Sequence, residues 1–164
     1  MEIISQSVYR VEKPQKKELL AQLLLGEAGN QVLVFSRTKH GADNIARYLS
    51  RRGITCESIH GDKSQNSRQR ALSNFKEGRS NVIIATDIAA RGIDIKGLDL
   101  VLNYDLPDVP ETYVHRIGRT GRAGCEGRAI AFCSGEEVPM LREIEKLTGI
   151  KLEQRKHDLP PLEE

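Results

Sequence analysis

Tryptophan is missing from this sequence, and aromatic residues of all kinds make up only 4 % of it. A ring platform of the sort that stacks successive bases is therefore not expected. Cysteine is scarce and odd in number: the three thiols, Cys56, Cys125 and Cys133, include no C-x-x-C pair. That pattern excludes a disulfide framework and a zinc knuckle, and it suits a reducing compartment. No apolar run approaches the roughly 20 residues that span a bilayer, so no membrane association is expected. The opening residues, Met1 to Val8, hold no basic stretch followed by an apolar core. They do not read as a secretory signal, and a cytoplasmic location is the expectation. A phosphate loop is also missing. Gly61-Asp62-Lys63-Ser64 ends like one, but the motif needs Gly-x-x-x-x-Gly-Lys-Ser/Thr, and Asp62 sets a negative charge where the second glycine must admit phosphate.

What is present fits one globular domain: 164 residues, 38 % hydrophobic and 29 % charged. The net charge of +2 predicts no partner, but its distribution is uneven. Acidic residues gather late (Glu136, Glu137, Glu143, Glu145, Glu153, Glu163, Glu164). Arg68, Arg70, Arg91, Arg116, Arg119, Arg122 and Arg128 crowd the middle, often beside glycine. A fold that brought those arginines together would carry a local positive surface despite the near-neutral total.

Short β-branched runs alternate with amphipathic stretches. Residues 32–35, 82–85 and 101–104 read as short strands, two of them continuous enough to be buried on both faces, and residues 129–133 as another. Residues 54–59 and 7–11 alternate in polarity and read as edge or flanking strands. Helices are expected over residues 14–25, 38–52, 64–76, 110–117 and 135–147. Thr38 is an N-cap candidate, and Gly26, Gly53, Gly78 and Gly149 are stops. This alternation predicts an α/β fold, an open parallel sheet with helices on both faces. Ligands of such sheets bind beyond the carboxyl ends of the strands, here the loops after Phe35, Ala85 and Tyr104. The domain should fill residues 1–153, with residues 154–164 a charged, proline-containing linker or frayed end.

Two of those regions carry chemistry. Ala85-Thr86-Asp87-Ile88-Ala89-Ala90-Arg91-Gly92-Ile93-Asp94 follows a buried strand, and its small and hydroxyl residues leave backbone amides free to approach an anion. Gly92 would allow a close or positive-φ turn there. A plain strand-to-helix loop with an Asp cap is the competing reading. Further on, His115-Arg116-Ile117-Gly118-Arg119-Thr120-Gly121-Arg122 sets two guanidinium groups, Arg119 and Arg122, three residues apart on a glycine-containing backbone. Such a pair can converge on one anionic group and stabilise charge on a transferring phosphoryl oxygen.

HRIGRTGR resembles motif VI of the DEAD-box helicases, ATDIAARGID resembles their motif V, and Val34-Phe35-Ser36-Arg37-Thr38-Lys39 resembles motif IV. His60-Gly61 with Gln65-Asn66-Ser67-Arg68 resembles the H-G-x₃-Q-x₂-R segment that follows it. The order is the family's, and the likeness runs from about Ile3 to Leu152. The wording of residues 37–42 and 141–147 is most similar to the bacterial RhlE-type subgroup. The resemblance implies a second RecA-like domain, a P-loop NTPase-type fold without the P-loop. It implies that Arg119 and Arg122 are arginine fingers for the γ-phosphate of ATP and that Asp94 accepts from the ribose hydroxyls. By the same resemblance Gln65, Arg68, Thr86 and Gly92 hold RNA phosphates, with Ser36 and Thr38 nearby, and His115, Arg116 and Asp87 couple to the partner domain. A cap role for Thr38 and an ion pair of Arg68 with Asp62 stand beside those assignments.

The family's Walker A lysine, Asp-Glu-Ala-Asp string and Ser-Ala-Thr triplet occur nowhere in the chain. The resemblance assigns the Mg²⁺ site and phosphate cradle to a separate N-terminal RecA-like domain, the expected partner together with single-stranded or duplex RNA bound through its backbone. ATP with Mg²⁺ is the implied cofactor, and the chain itself should hold no metal. Two other functions remain open at this level: a DNA-directed or DExH-type helicase domain, and a binding or dimerisation module. The sequence leaves the oligomeric state open.

Overall fold

The chain folds, in a computed structural model describing residues 3–121 and 126–162, around one sheet of seven strands. In chain order the strands are β1 (Ile4–Arg10), β2 (Val32–Phe35), β3 (Glu57–Ile59), β4 (Val82–Ala85), β5 (Leu100–Asn103), β6 (Gly127–Cys133) and β7 (Glu153–Arg155). They lie in the order β3-β4-β2-β5-β6-β1-β7, and every pairing is parallel. The α-helices are α1 (Lys16–Leu25), α2 (Lys39–Arg51), α3 (Gln65–Lys76), α4 (Asp87–Arg91), α5 (Pro110–Ile117) and α6 (Val138–Thr148). Among the described residues no helix is long and apolar enough to cross a membrane.

The central strands β2, β4 and β5 are buried at every position, which is why their sequences are unbroken apolar runs. Alternation then divides them between two layers. Val32 and Val34 of β2 pack with Leu20 of α1 and Ile45 of α2. Leu33 and Phe35, one residue out of phase, pack with Phe75 of α3 and Ala89 of α4. Fully burying each of the valine, leucine, isoleucine and phenylalanine side chains among them contributes about 1.5–3 kcal/mol. A third cluster seats α5 and α6 through Tyr113, Ile117, Leu141 and Ile144 against β1 and β6.

Local signals start and stop the helices much as expected. Thr38 Oγ1 accepts from the Gly41 amide at 3.0 Å and Ser64 Oγ from the Ser67 amide at 3.1 Å. Gly149 ends α6 at φ +70°, a conformation that penalises any side chain. Ser64, the last residue of the phosphate-loop look-alike, is thus a helix cap.

Three expectations need correction. The strand expected over residues 54–59 is ordered as a strand only from Glu57, and β1, expected at an edge or flank, is covered on its outer side by β7. The stretch read as a linker or frayed end from residue 154 is fastened to the body. Its first residues complete β7, Leu159 is buried in the core, and Gln15 donates to the Pro160 carbonyl at 2.6 Å. The segment after β4, for which a plain strand-to-helix loop with an Asp cap is the competing reading, enters the helix α4 directly at Asp87. The five residues of α4 are too few to show a helical period, and Asp87 caps no amide.

Candidate functional site

Because all strands run the same way, β2, β4 and β5 release their loops on one side of the sheet. There α4 and α5 enclose a cleft of about 330 Å³ lined by Phe35, Asp87, Ala90, Arg91, Thr112, His115, Arg116 and Arg119. The structure thereby joins the two chemistry-bearing segments, which are far apart in the chain.

Arg116 is the most deeply placed charge in it, 2 % exposed. Its Nε and a terminal nitrogen donate to the two carboxylate oxygens of Asp87, each at 2.8 Å. The other terminal nitrogen donates to Asn103 Oδ1 at 3.0 Å and to the Asp105 carbonyl at 2.6 Å. The guanidinium also lies 4.9 Å from the Phe35 ring centre. A forked cation matched to a forked anion, with its remaining donors accepted, offsets the desolvation that such burial costs. Arg116 therefore ties α5 to α4 and to the ends of β2 and β5, inside the domain. Its neighbour His115 is exposed.

Arg119, one helical turn on, is held differently. It is half-buried, and its two terminal nitrogens donate to the carbonyls of Ile93 at 3.1 Å and Ala90 at 2.6 Å, at the end of α4 and just beyond it. Among the described residues no carboxylate closes on it. Burial lowers its pKa, with Asp94 acting in the opposite direction, yet a guanidinium keeps its proton at any physiological pH. Arg119 is thus a cation on neutral acceptors beside an open cleft, able to turn toward an anion. Asp94 is exposed, 3.8 Å from Lys96. Arg122, the second finger candidate, lies outside the described residues, as does Cys125.

The remaining candidates divide by their commitments. Thr86 precedes α4 without a side-chain capping bond, so its hydroxyl remains available. Gly92 has φ −87°, not a positive value, and a Cβ there would meet the Ala89 carbonyl at an ordinary 3.7 Å. Nothing among the described residues demands glycine at that position. Ser36 is wholly buried and donates to the Thr38 carbonyl at 2.9 Å. Thr38 is the helix cap. Gln65 and Arg68 occupy the first turn of α3 and do not line the cleft. Asp62 pairs with Lys39 at 3.1 Å, so the alternative partner suggested for Arg68 is engaged elsewhere.

The expected gathering of arginines is only partial. Arg116 is neutralised by Asp87, and Arg128 makes a two-pronged pair with Glu27, leaving Arg91 and Arg119 as the arginines of the cleft with no carboxylate partner among the described residues. The described thiols are free: Cys56 and Cys133 are both pushed up to about 11, chiefly by burial, and are therefore poor nucleophiles.

Sequence reading missed two buried polar clusters. His60 Nε2 donates to Asp43 at 2.9 Å while its Nδ1 accepts from the Asp62 amide at 3.2 Å. Burial would raise the Asp43 carboxyl, but bonds from His60, Ser58 and Lys63 outweigh it and hold the group low. Lys16, 2 % exposed, reaches Asp105 and Glu137. The adjacent pair Lys16-Lys17 at a helix start carries no sign that one member points inward.

A model of the helicase conserved C-terminal domain matches residues 15–124. Among curated relatives, the ATP-dependent RNA helicase CshA of Listeria monocytogenes is 46 % identical over 92 % of this chain and 29 % of its own length. The chain spans about a third of the length of the curated relatives it matches. Among solved structures, the E. coli DEAD-box protein SrmB bound to regulator of ribonuclease activity A superposes with a TM-score of 0.86 at 35 % identity, covering 97 % of this chain and 93 % of that one. S. cerevisiae Dbp5 bound to RNA and ADP BeF3 gives 0.87 at 34 % identity, over 95 % of this chain and 42 % of that one. The open parallel sheet is accordingly of the RecA-like type.

Proposed function

Since the chain belongs to the helicase C-terminal domain family, in its DEAD-box branch, we propose that it acts as the second RecA-like half of an ATP-dependent RNA helicase. It would complete an ATP site and an RNA groove whose other halves lie on an N-terminal RecA-like domain. The observation that carries this reading is the contrast within one cleft: Arg116 is locked to Asp87, while Arg119 lines the cleft with only carbonyls to hold it. The chain supplies cationic reach but no cradle, since it has no Walker A sequence.

ATP fits the residues present at its phosphate end, where Arg119, Arg91 and His115 line the cleft. When bound with Mg²⁺ held by the partner domain, ATP supplies the phosphoryl group whose transfer to water drives the cycle. Arg119 would turn from the Ala90 and Ile93 carbonyls to the γ-phosphate and stabilise its developing charge, a role the resemblance also gives to Arg122. Asp94, already exposed, would accept from the ribose hydroxyls. His115 and the Arg116–Asp87 lock would transmit domain closure by holding α4 and α5 as one unit.

For RNA, the free Thr86 hydroxyl, the spare space at Gly92, and Gln65 and Arg68 at the start of α3 would meet phosphates, with the loop of Ser36 and Thr38 beside them. A glycine that its own domain does not require is consistent with close approach by another molecule. Contacts of this kind read the backbone, so base order should matter little. Local strand separation would follow from bending the bound strand on closure. The wording of residues 37–42 and 141–147 supports an RhlE-type subgroup, whereas the Listeria relative carries the name CshA. A cytoplasmic setting agrees with the free thiols of Cys56 and Cys133.

Binding of oligoribonucleotides of equal length and different sequence tests the RNA half. Affinity should fall steeply with salt and vary little among sequences at fixed salt. Affinity that followed base order would overturn it.

A further inference from the structure

Lys16 lies on α1, outside the cleft and outside every motif that the site uses. Its ammonium donates to Glu137 Oε1 at 2.7 Å and to Asp105 Oδ1 at 3.2 Å, and it sits 5.6 Å from the centre of the Tyr104 ring. Burying a lysine between two carboxylates costs several kcal/mol of desolvation per ion, and apolar side chains of similar volume often serve a core as well or better. Packing alone therefore does not account for it.

The carboxylates show another use. Asp105 directs its second oxygen, Oδ2, to the Arg37 amide at 2.9 Å, and its carbonyl accepts from Arg116 at 2.6 Å. Glu137 directs Oε2 to the Leu106 amide at 2.7 Å, while its Oε1 also accepts from the amide and hydroxyl of Ser134 at 3.1 Å. One ammonium thus holds the two acids that fasten the segment after β5. That segment in turn sets the backbone of the 36–38 loop and the end of the Arg116 guanidinium.

We infer that Lys16 is a positioning residue for the site, acting through Asp105 and Glu137 to fix the Arg37 amide and the Arg116 guanidinium. The inference rests on the proposed function for its RNA consequence and on geometry alone for the rest. A lost ammonium leaves Asp105 free to rotate, so Oδ2 no longer defines the Arg37 amide, and the loop presented to a phosphate loosens.

The test uses Lys16→Met and, in case that variant does not fold, the nearly isosteric Glu137→Gln, both in the 164-residue chain. Thermal melts verify folding. NMR then follows the Arg37 amide and the Arg116 Nε–H, and decauridine titrations follow binding. The expected result is displaced Arg37 and Arg116 resonances at temperatures well below the melt, with decauridine bound about fivefold more weakly, the effect of losing one hydrogen bond from the loosened 36–38 loop. Folded variants with a lower Tm but both resonances and the decauridine affinity unchanged would reduce Lys16 to a structural ion and overturn the inference. If the unsubstituted chain fails to bind decauridine, the RNA reading is what fails, and the two resonances still decide the positioning role.

Discussion

Arg116 and Arg119 stand three residues apart on the same segment, yet the fold treats them as opposites. The first is sealed at 2 % exposure with a forked carboxylate, an amide oxygen and a carbonyl around it. The second is half-buried and rests on two backbone carbonyls. Identical chemistry thus yields an anchor in one place and a cation on neutral acceptors in the other, and the counter-charge decides which. An arginine already matched to a carboxylate gains little from a phosphate. One on neutral acceptors gains a full ionic interaction.

The comparison breaks most clearly in turnover. In a longer protein that pairs this domain with its N-terminal half, Arg119→Ala should lower kcat for RNA-stimulated ATP hydrolysis by on the order of 10³-fold. The same change should cost the domain only about 1 kcal/mol, the net worth of hydrogen bonds to carbonyls. Arg116→Ala should do the reverse in denaturant titrations. It leaves the Asp87 carboxylate and Asn103 without their partner, and loss of about 3–5 kcal/mol of unfolding free energy is expected. Equal destabilisation by the two substitutions would erase the distinction between anchor and finger.

A third arginine sharpens the scale. Arg128 bonds Glu27 with both terminal nitrogens, but its side chain is 41 % exposed. The pair holds the Glu27 carboxyl below its usual value, first through the Arg128 hydrogen bond against the opposing effect of burial. A carboxyl lowered in the folded state contributes stability above its unfolded pKa and loses it as pH falls through the folded one. Arg128→Gln should therefore flatten the acid limb of stability below about pH 4.5. At neutral pH, solvent screening limits its cost to about 1 kcal/mol or less. A neutral-pH loss as large as that of Arg116 would show that exposure does not rank these pairs.

How far the sequence foretold this arrangement depends on the residue. β2 and β4 were legible to the residue because strands buried on both faces show unbroken apolar runs. Thr38 and Gly149 were legible because capping and left-handed turns restrict residue type locally. α4 escaped because five residues complete barely more than a turn. The depth of Arg116 escaped for another reason: its partner Asp87 is 29 positions away, and only the sheet order brings β4 and β5 to flank β2 so that their following helices meet. Lys16 is the sharper case, 121 positions from Glu137. Pattern shows which charges exist, and topology shows which are neutralised.

The central claim is that the domain brings the arginine to a nucleotide that another domain must hold. Its most direct measurement is ATP hydrolysis by the purified 164-residue chain with saturating RNA, alone and then with the N-terminal RecA-like domain added. No turnover above background is predicted for the chain alone, with turnover appearing on addition and disappearing again for Arg119→Ala. RNA-stimulated turnover by the chain alone, or turnover on addition that survives Arg119→Ala, would contradict the claim.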